Sequence, residues 1–416
     1  KPSPCSKTKI VSPPRPRRTH EPRRGERAAN RLRRRRQARM GRDKSRRLSG
    51  SRDFRQRLVL ATLTSTPITI KDIRTGEGGL RPHEMSLLHL IHKVSDQHVI
   101  DVNDTGTKVG YKPGVVVGGK DLEHDCGAHR GIGYFIEPLL LLGLFARSPL
   151  SIRLKGITND TKDPSVDTFR MVTLHMLKHF GVPLEGLELK IESRGAPPRG
   201  GGEVLLRVPN INSTLKAVNW IDEGMVKRIR GVAFSTNVSA QIVTRIFYAA
   251  RGLFNKFIPD VHIFTDHRAS SSGGCGLSAG YGVSVVAETT TGCLISADAT
   301  VSYPNVDEMS EQSEKPELMS PEDLGEQVAS MLLEEVAQGG VVDSTHQGLL
   351  FMLCALCPPD VSKVRVGQLT LRAIESLRNI KEFLDVKFII KPDPNSNTVT
   401  LKCVGAGVKN LARKIS

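Results

Sequence analysis

The chain has 416 residues, a formal net charge of +17 and a hydrophobic fraction of 38%, which is long enough for a large core and more than one domain. No apolar run reaches the roughly 18 residues of a bilayer-spanning helix, and the charged N-terminus lacks the apolar stretch of a secretory signal, so no membrane role is predicted. Seven cysteines scattered at positions 5, 126, 275, 293, 354, 357 and 403 form no disulfide framework and point to a reducing compartment.

Residues 1–50 carry 19 Lys and Arg against three Asp and Glu, so nearly all of the net charge lies there. Almost without aromatic or β-branched residues, this stretch cannot bury enough surface to fold alone, and it is predicted as a disordered basic arm. Its runs of arginine suit a nuclear or nucleolar targeting tract or a sequence-blind phosphate binder; the plainer reading is a solvated tail.

Three later stretches share one pattern: "FRQRLVLATLTSTPITIKDIR" from Phe54, "YFIEPLLLLGLFARSPLSIRLKG" from Tyr134 and "HQGLLFMLCALCPPDVSKVRVG" from His346. Each reads as an apolar helix, a proline turn and an alternating strand. The turn prolines Pro67, Pro149 and Pro358 are 82 and then 209 residues apart, as three copies of one α/β unit would be if an insertion separated the third from the second. The predicted class is α/β. Two of these units occupy 51–212, an inserted α/β domain 213–280, and the third unit 281–416, with an acidic loop near 301–320. The insertion reads as strand "VKRIRGVAFSTNVS", helix "AQIVTRIFYAARGLFNKF" and strand "DVHIFTDH", then a Gly/Ser loop. Beyond it come a hairpin turned at Thr290–Thr291–Gly292 and an amphipathic helix ending at Gly339–Gly340.

In the second unit, Asp163-Pro164 opens a helix carrying His175 and His179 at i and i+4. Met176 stands where a zincin helix would need Glu, so both histidines read as helix surface. Cys354 and Cys357 lie within "LLFMLCALC" and read as core. No metal site and no bound cofactor are predicted.

The stretch "RGAPPRGGGEV" holds Gly200, Gly201 and Gly202 beside Arg194 and Arg199. Open backbone N–H groups with two guanidiniums suit a phosphate; alternatively, the glycines only let the chain turn tightly into the next strand. The pattern Arg-Gly-x-x-Pro-x-Gly-Gly-Gly-x-aliphatic resembles the signature of the RNA 3′-terminal phosphate cyclase family. "HDCGAHRGIGYFIEPLLLLGLFARSPLSIRLKGITNDTKDPSVDTFR", "VKRIRG", "NKFIPDV", "VAETTTGCL", "GGVVDS" and "VSKVRVG" resemble its eukaryotic ribosome-biogenesis branch, over about Asp53 to Ser416.

The resemblance implies three repeated units with a small insertion. It also implies an ancestral chemistry in which a histidine attacks ATP and hands the adenylate to an RNA 3′-phosphate. Anchored on Gly339-Gly340, the nucleophile's position falls on Thr345, and His346 is one residue late, about 100° around a helix. His346 is thus a weak nucleophile candidate. Where cyclases carry Gly-Gly-Gly-Gln, this chain has Gly50-Ser51-Arg52-Asp53, poor residues for close backbone approach to phosphate. The expectation is a catalytically silent relative acting as a nucleolar assembly factor in pre-rRNA processing and small-subunit biogenesis. The implied partners are a large ribosome-biogenesis GTPase, pre-rRNA and small-subunit processome components, in the nucleus and nucleolus. Lys227, Arg228, Arg230, Lys363 and Arg365 are candidate RNA or partner contacts, or plain surface charges. The alternative is an endoribonuclease cutting the spacer upstream of the small-subunit rRNA, with Asp360, Lys363 and Arg365 as weak candidates. A working cyclase is the third reading.

Overall fold

The structure is a computed structural model, and it describes residues 9–11, 45–269, 273–303 and 318–410. Along the chain come β1 (Lys9–Val11), β2 (Arg46–Ser49), α1 (Phe54–Leu63), β3 (Ile68–Lys71), α2 (Pro82–Val94), β4 (Ser95–Asp96), β5 (Val99–Val102), β6 (Val109–Lys112) and β7 (Val115–Val116). The second unit holds β8 (Gly119–Asp125), α3 (Gly133–Leu144), β9 (Leu150–Gly156), helix α4, β10 (Glu188–Ser193) and β11 (Gly202–Val208). Helix α4 runs through Val166–Thr168, a π turn at Phe169–Thr173, and Leu174–His179. After β12 (Asn219–Trp220) come β13 (Val226–Thr236), α5 (Gln241–Phe254), β14 (Val261–Arg268), β15 (Gly280–Thr289), β16 (Leu294–Ser302) and α6 (Pro321–Gln338). The chain continues with α7 (Gln347–Leu356), β17 (Val361–Val366), α8 (Leu371–Leu384), β18 (Ile389–Pro392) and β19 (Val399–Val404).

Three sheets repeat one topology. The orders β5-β6-β3-β2, β10-β11-β9-β8 and β18-β19-β17-β12 each place an antiparallel hairpin beside two parallel strands. Each parallel pair is joined through an apolar helix: α1, α3 or α7. These helices are buried nearly all round, as "QGLLFMLCAL" requires, and their side chains form one core shared by the three units. Cys354 and Cys357 are buried in it. The first unit's pattern begins earlier than expected, because Arg46–Ser49 pairs parallel with β3. Lys9–Val11 adds to the same sheet beside β5. These two segments of residues 1–50 are therefore strands rather than disordered arm; the rest of that stretch lies outside the described residues, apart from Ser45 and Gly50.

The insertion is longer than 213–280. A fourth sheet, β14-β13-β15-β16, runs on to Ser302, and α6 packs on α5 over a second core built from Ile229, Ile246, Val283, Val328 and Leu332. Trp220 pairs with Val364 of the third unit. The insertion thus spans 226–338 and follows β12, the third unit's opening strand. The sequence reading ended it at the Gly/Ser loop because the strand pattern beyond suits either neighbour; only pairing with β13 decides. Residues 304–317 of the acidic loop lie outside the described residues. Helix α4 is capped by Ser165, whose Oγ accepts from the Thr168 N–H at 3.1 Å, two residues beyond Asp163. Gly339 and Gly340 take φ of 74° and 100° after α6, which glycine adopts without steric cost.

Candidate functional site

The heads of six helices converge on one cavity of about 230 Å³. Its walls come from Ser51, Asp53 and Arg55 before and in α1, Arg81 and His83 at α2, and Arg130 and Tyr134 at α3. Asp163 and Pro164 precede α4, Ser344, Thr345 and Gly348 open α7, and Thr370 and Arg372 open α8. Helix N-termini present free N–H groups and positive dipole ends, so their convergence favours an anion. Arg55 is held by Glu137 at 2.6 Å and Asp163 at 3.5 Å, and Arg130 is also bound to Asp163. Arg81 and Arg372 have no carboxylate at ion-pair distance among the described residues, which leaves two guanidiniums for a ligand.

A nucleoside triphosphate fits this cavity poorly. Its volume lies below the roughly 300–1,000 Å³ of small-molecule sites. At the turn before α1, Asp53 is held in the left-handed region at φ 51° and lines the space. Burial and nearby Glu375 raise that carboxyl above its usual range. Arg52 turns to Glu375 on α8 at 3.0 Å.

His346 is not among the lining residues; Thr345 is. His346 is 3% exposed and sits inside the protein. Its Nδ1 is 2.7 Å from Asp343 Oδ1, and its Nε2 is 2.9 Å from Thr173 Oγ1 on α4. Asp343 Oδ1 also accepts from the Thr345 hydroxyl at 2.6 Å, and Oδ2 from the backbone N–H and hydroxyl of Ser296 on β16, at 2.9 and 2.7 Å. Burial works against both charges, yet the mutual attraction and these donors hold Asp343 well below, and His346 above, their ordinary ranges. The Thr345 hydroxyl is one of the donors that hold this buried carboxylate as the anion.

Arg194 is not a phosphate ligand. It is 1% exposed; Nη1 and Nη2 donate to both oxygens of Asp167 on α4 at 2.7 and 3.0 Å, Nε donates to Asp266 on β14 at 2.7 Å, and the guanidinium lies 4.6 Å over the Phe234 ring. It clamps the second unit to the insertion. The glycine loop is covered at Gly200 and Gly202, while Gly201 is exposed. Leu277 N–H donates to the Gly200 carbonyl at 2.9 Å, and a Cβ on Gly201 would meet Leu277 N at 2.9 Å. The glycines let two loops interlock. Arg199 is exposed and donates to the Leu277 carbonyl at 2.8 Å.

Lys227 and Arg228 share Glu288 at 2.8 and 2.6 Å, and Arg230 pairs with Asp260 at 2.8 Å. These three lie on the insertion sheet. Asp360 is exposed at the head of β17, its carboxylate accepting from the Val361 N–H at 2.7 Å. Arg365 reaches Glu223 at 3.3 Å. Lys363 stands directly opposite Lys402 on β19. Neither has a carboxylate partner among the described residues, and like charges so placed repel. The second unit's outer face differs: Arg153, Lys155, Arg207 and Lys190 are all ion-paired.

Sequence reasoning missed His83 and Asp343. Burial, with Arg130 and Arg81 nearby, pushes the His83 imidazole down to about 4, and it meets Tyr134 edge-on. Only the convergence of α2 with the other helix heads reveals it. Asp343 had a local signal, the spacing Asp-Ser-Thr-His at a helix start. Among the described residues no cluster of His, Cys, Asp and Glu is arranged to hold a metal, and no helix is long and apolar enough to cross a membrane.

Three repeated units sharing one core, one of them split by a small α/β insertion, with a charged pocket where their helices begin, define a cyclase-type protein. The chain belongs to the RNA 3′-terminal phosphate cyclase family, whose profile matches residues 46–390. It is 62% identical over 372 residues to a probable RNA 3′-terminal phosphate cyclase-like protein of Arabidopsis thaliana, covering 89% of this chain and 98% of the relative. It is 43% identical over 375 residues to the RNA 3′-terminal phosphate cyclase-like protein of Homo sapiens, covering 88% and 97%. A Schizosaccharomyces pombe protein named rRNA processing protein rcl1 is 39% identical over 374 residues, covering 89% and 98%.

Proposed function

We propose that the chain acts in ribosomal RNA processing as a cyclase relative that has lost adenylation chemistry, working as a nucleolar assembly factor of the small ribosomal subunit. One observation carries this reading: the imidazole at the head of α7 is turned into the protein, against Asp343 and Thr173, while Ser344 and Thr345 line the pocket. The name of the S. pombe relative, rRNA processing protein rcl1, supports the process. The charge of residues 1–50 suits nucleic acid or targeting. The helix-head pocket, with Arg81 and Arg372, suits a single phosphate group, and the open face bearing Lys363 and Lys402 suits an RNA backbone. A large ribosome-biogenesis GTPase and processome components are the partners that fit such an adaptor.

Depletion followed by analysis of rRNA precursors tests the process. Accumulation of uncut small-subunit precursor, rescued by a His346→Asn chain, is expected. Normal precursor levels, or failure of that variant to rescue while it accumulates as folded protein, contradict the reading.

A second reading, endonucleolytic cleavage of the spacer upstream of the small-subunit rRNA, is favoured by one observation: an exposed carboxylate, Asp360, heads the strand that bears unpaired Lys363. Incubating the purified chain with spacer RNA tests it. Cleavage lost in Asp360→Ala or Lys363→Ala would establish an enzyme in place of a silent adaptor.

A further inference from the structure

A second cleft, of about 410 Å³, opens where three parts of the molecule meet, and it shares no lining residue with the helix-head pocket. Helix α4 of the second unit supplies His175 and His179, β12 of the third unit supplies Trp220, and β13 of the insertion supplies Arg228 and Arg230. Junctions between units are where ligand sites concentrate, and this volume falls within their usual range. The π turn of α4 lies along the cleft through Met171, and such turns are frequent at functional sites.

One wall is a preformed aromatic stack. The His179 ring lies 3.9 Å from the Trp220 ring, with 15° between their planes. The indole N–H donates to Cys293 Sγ at 3.3 Å, which fixes the ring's orientation. His179 is exposed. Partial burial, with Lys178 nearby, holds its imidazole below the ordinary histidine range. The rim is cationic. Lys178 has no carboxylate partner among the described residues, and Lys227, Arg228 and Arg230 share only Glu288 and Asp260. Those ion pairs are partly exposed, so their guanidiniums can exchange a carboxylate for a phosphate at little cost.

We infer that this cleft receives one unpaired nucleotide of an RNA strand, with its base against the His179–Trp220 wall and its phosphate on Lys178, Arg228 and Arg230. This rests on the RNA-processing reading and names a recognition site for it. A flat π surface with an excess of cations alongside is how proteins hold single-stranded RNA bases without duplex contacts. An apolar side chain of a protein partner would use the floor of the cleft but not its rim.

The chain has one tryptophan, so intrinsic emission of the full chain reports on this wall directly. It is titrated with an unstructured adenosine dodecaribonucleotide, while anisotropy of the same RNA carrying a dye reports total binding. Saturable quenching in step with anisotropy is expected. His179→Ala should weaken binding about ten-fold, the size of one lost stacking partner, and Lys178→Glu should weaken it further at low salt. Arg207→Ala, on the charge-neutralised outer face of the second unit, should bind as the parent chain does. Binding by anisotropy with no change in Trp220 emission, or unchanged affinity in His179→Ala, overturns the site and leaves the processing role standing. Absence of any RNA binding contradicts both. Quenching by an apolar peptide and not by RNA also overturns the proposal, since the cleft then serves a protein.

Discussion

His346 and Asp343 form a buried pair, Nδ1 to Oδ1 at 2.7 Å, that ties the head of α7 to α4 and β16 through Thr173 and Ser296. The histidine at the head of α7 is thereby a fold-holding group. His346→Ala leaves Asp343 buried without its counter-charge and should cost about 3–5 kcal/mol, read by guanidinium unfolding.

The same pair sets a pH dependence. Burial alone lowers the His346 pKa, but Asp343 holds it above its unfolded value, so its contribution is full below about pH 6.5 and fades as pH rises through the folded value. Asp343 is depressed, so its contribution is present above about pH 3.9 and fades in acid. The parent chain should lose stability from pH 6 toward pH 9 more steeply than His346→Ala. Parallel profiles would remove the pair as the cause.

Arg194 joins Asp167 and Asp266 with both carboxylates close and the guanidinium buried. Arg194→Ala should destabilise by about 3–5 kcal/mol, and Arg194→Lys by nearly as much because an ammonium cannot reproduce the fork. Thermal unfolding measures this. A shift of only a degree or two would return Arg194 to the class of spare surface cations.

A methyl group distinguishes packed glycines from free ones. At Gly276 a Cβ would meet the Arg194 carbonyl oxygen at 2.6 Å and Gly195 Cα at 2.8 Å, all backbone, whereas at Gly252 in α5 nothing lies within 4 Å. Gly276→Ala should lower the melting temperature by several degrees, and Gly252→Ala should add about 0.4–1 kcal/mol. Differential scanning calorimetry on the two variants separates them.

The repeated units were legible because each depends on local chemistry: an all-apolar helix, a proline turn, an alternating strand. The end of the insertion was not, since whether "VSVVAETTTGCLISAD" pairs with β13 or with the third unit is a long-range choice that alternation does not encode. Counting from Gly339-Gly340 put Thr345 at the position the resemblance gives the nucleophile; the structure makes Thr345 a lining residue of the helix-head pocket. The role of Arg194 was hidden for the opposite reason. An arginine beside three glycines reads as a phosphate ligand until Asp167 and Asp266, far apart in the chain, are seen to enclose it.

His83 and His124 are both held near pKa 4, chiefly by burial. Their folded values lie below the unfolded value of about 6.5, so the unfolded chain binds protons first and stability should fall as pH drops from about 6.5 toward 4. Imidazole proton shifts of both residues should stay flat until below pH 5. Titration near 6.5 would mean that neither is enclosed.

The central claim is that the imidazole at the head of α7, His346, is not presented to the helix-head pocket as a nucleophile. Incubating the purified full chain with α-labelled ATP and magnesium, then separating protein from free nucleotide under denaturing conditions, tests it most directly. The account predicts no covalently retained label in the parent chain, His346→Asn or His83→Asn. Label retained by the parent chain and lost in either variant would contradict it.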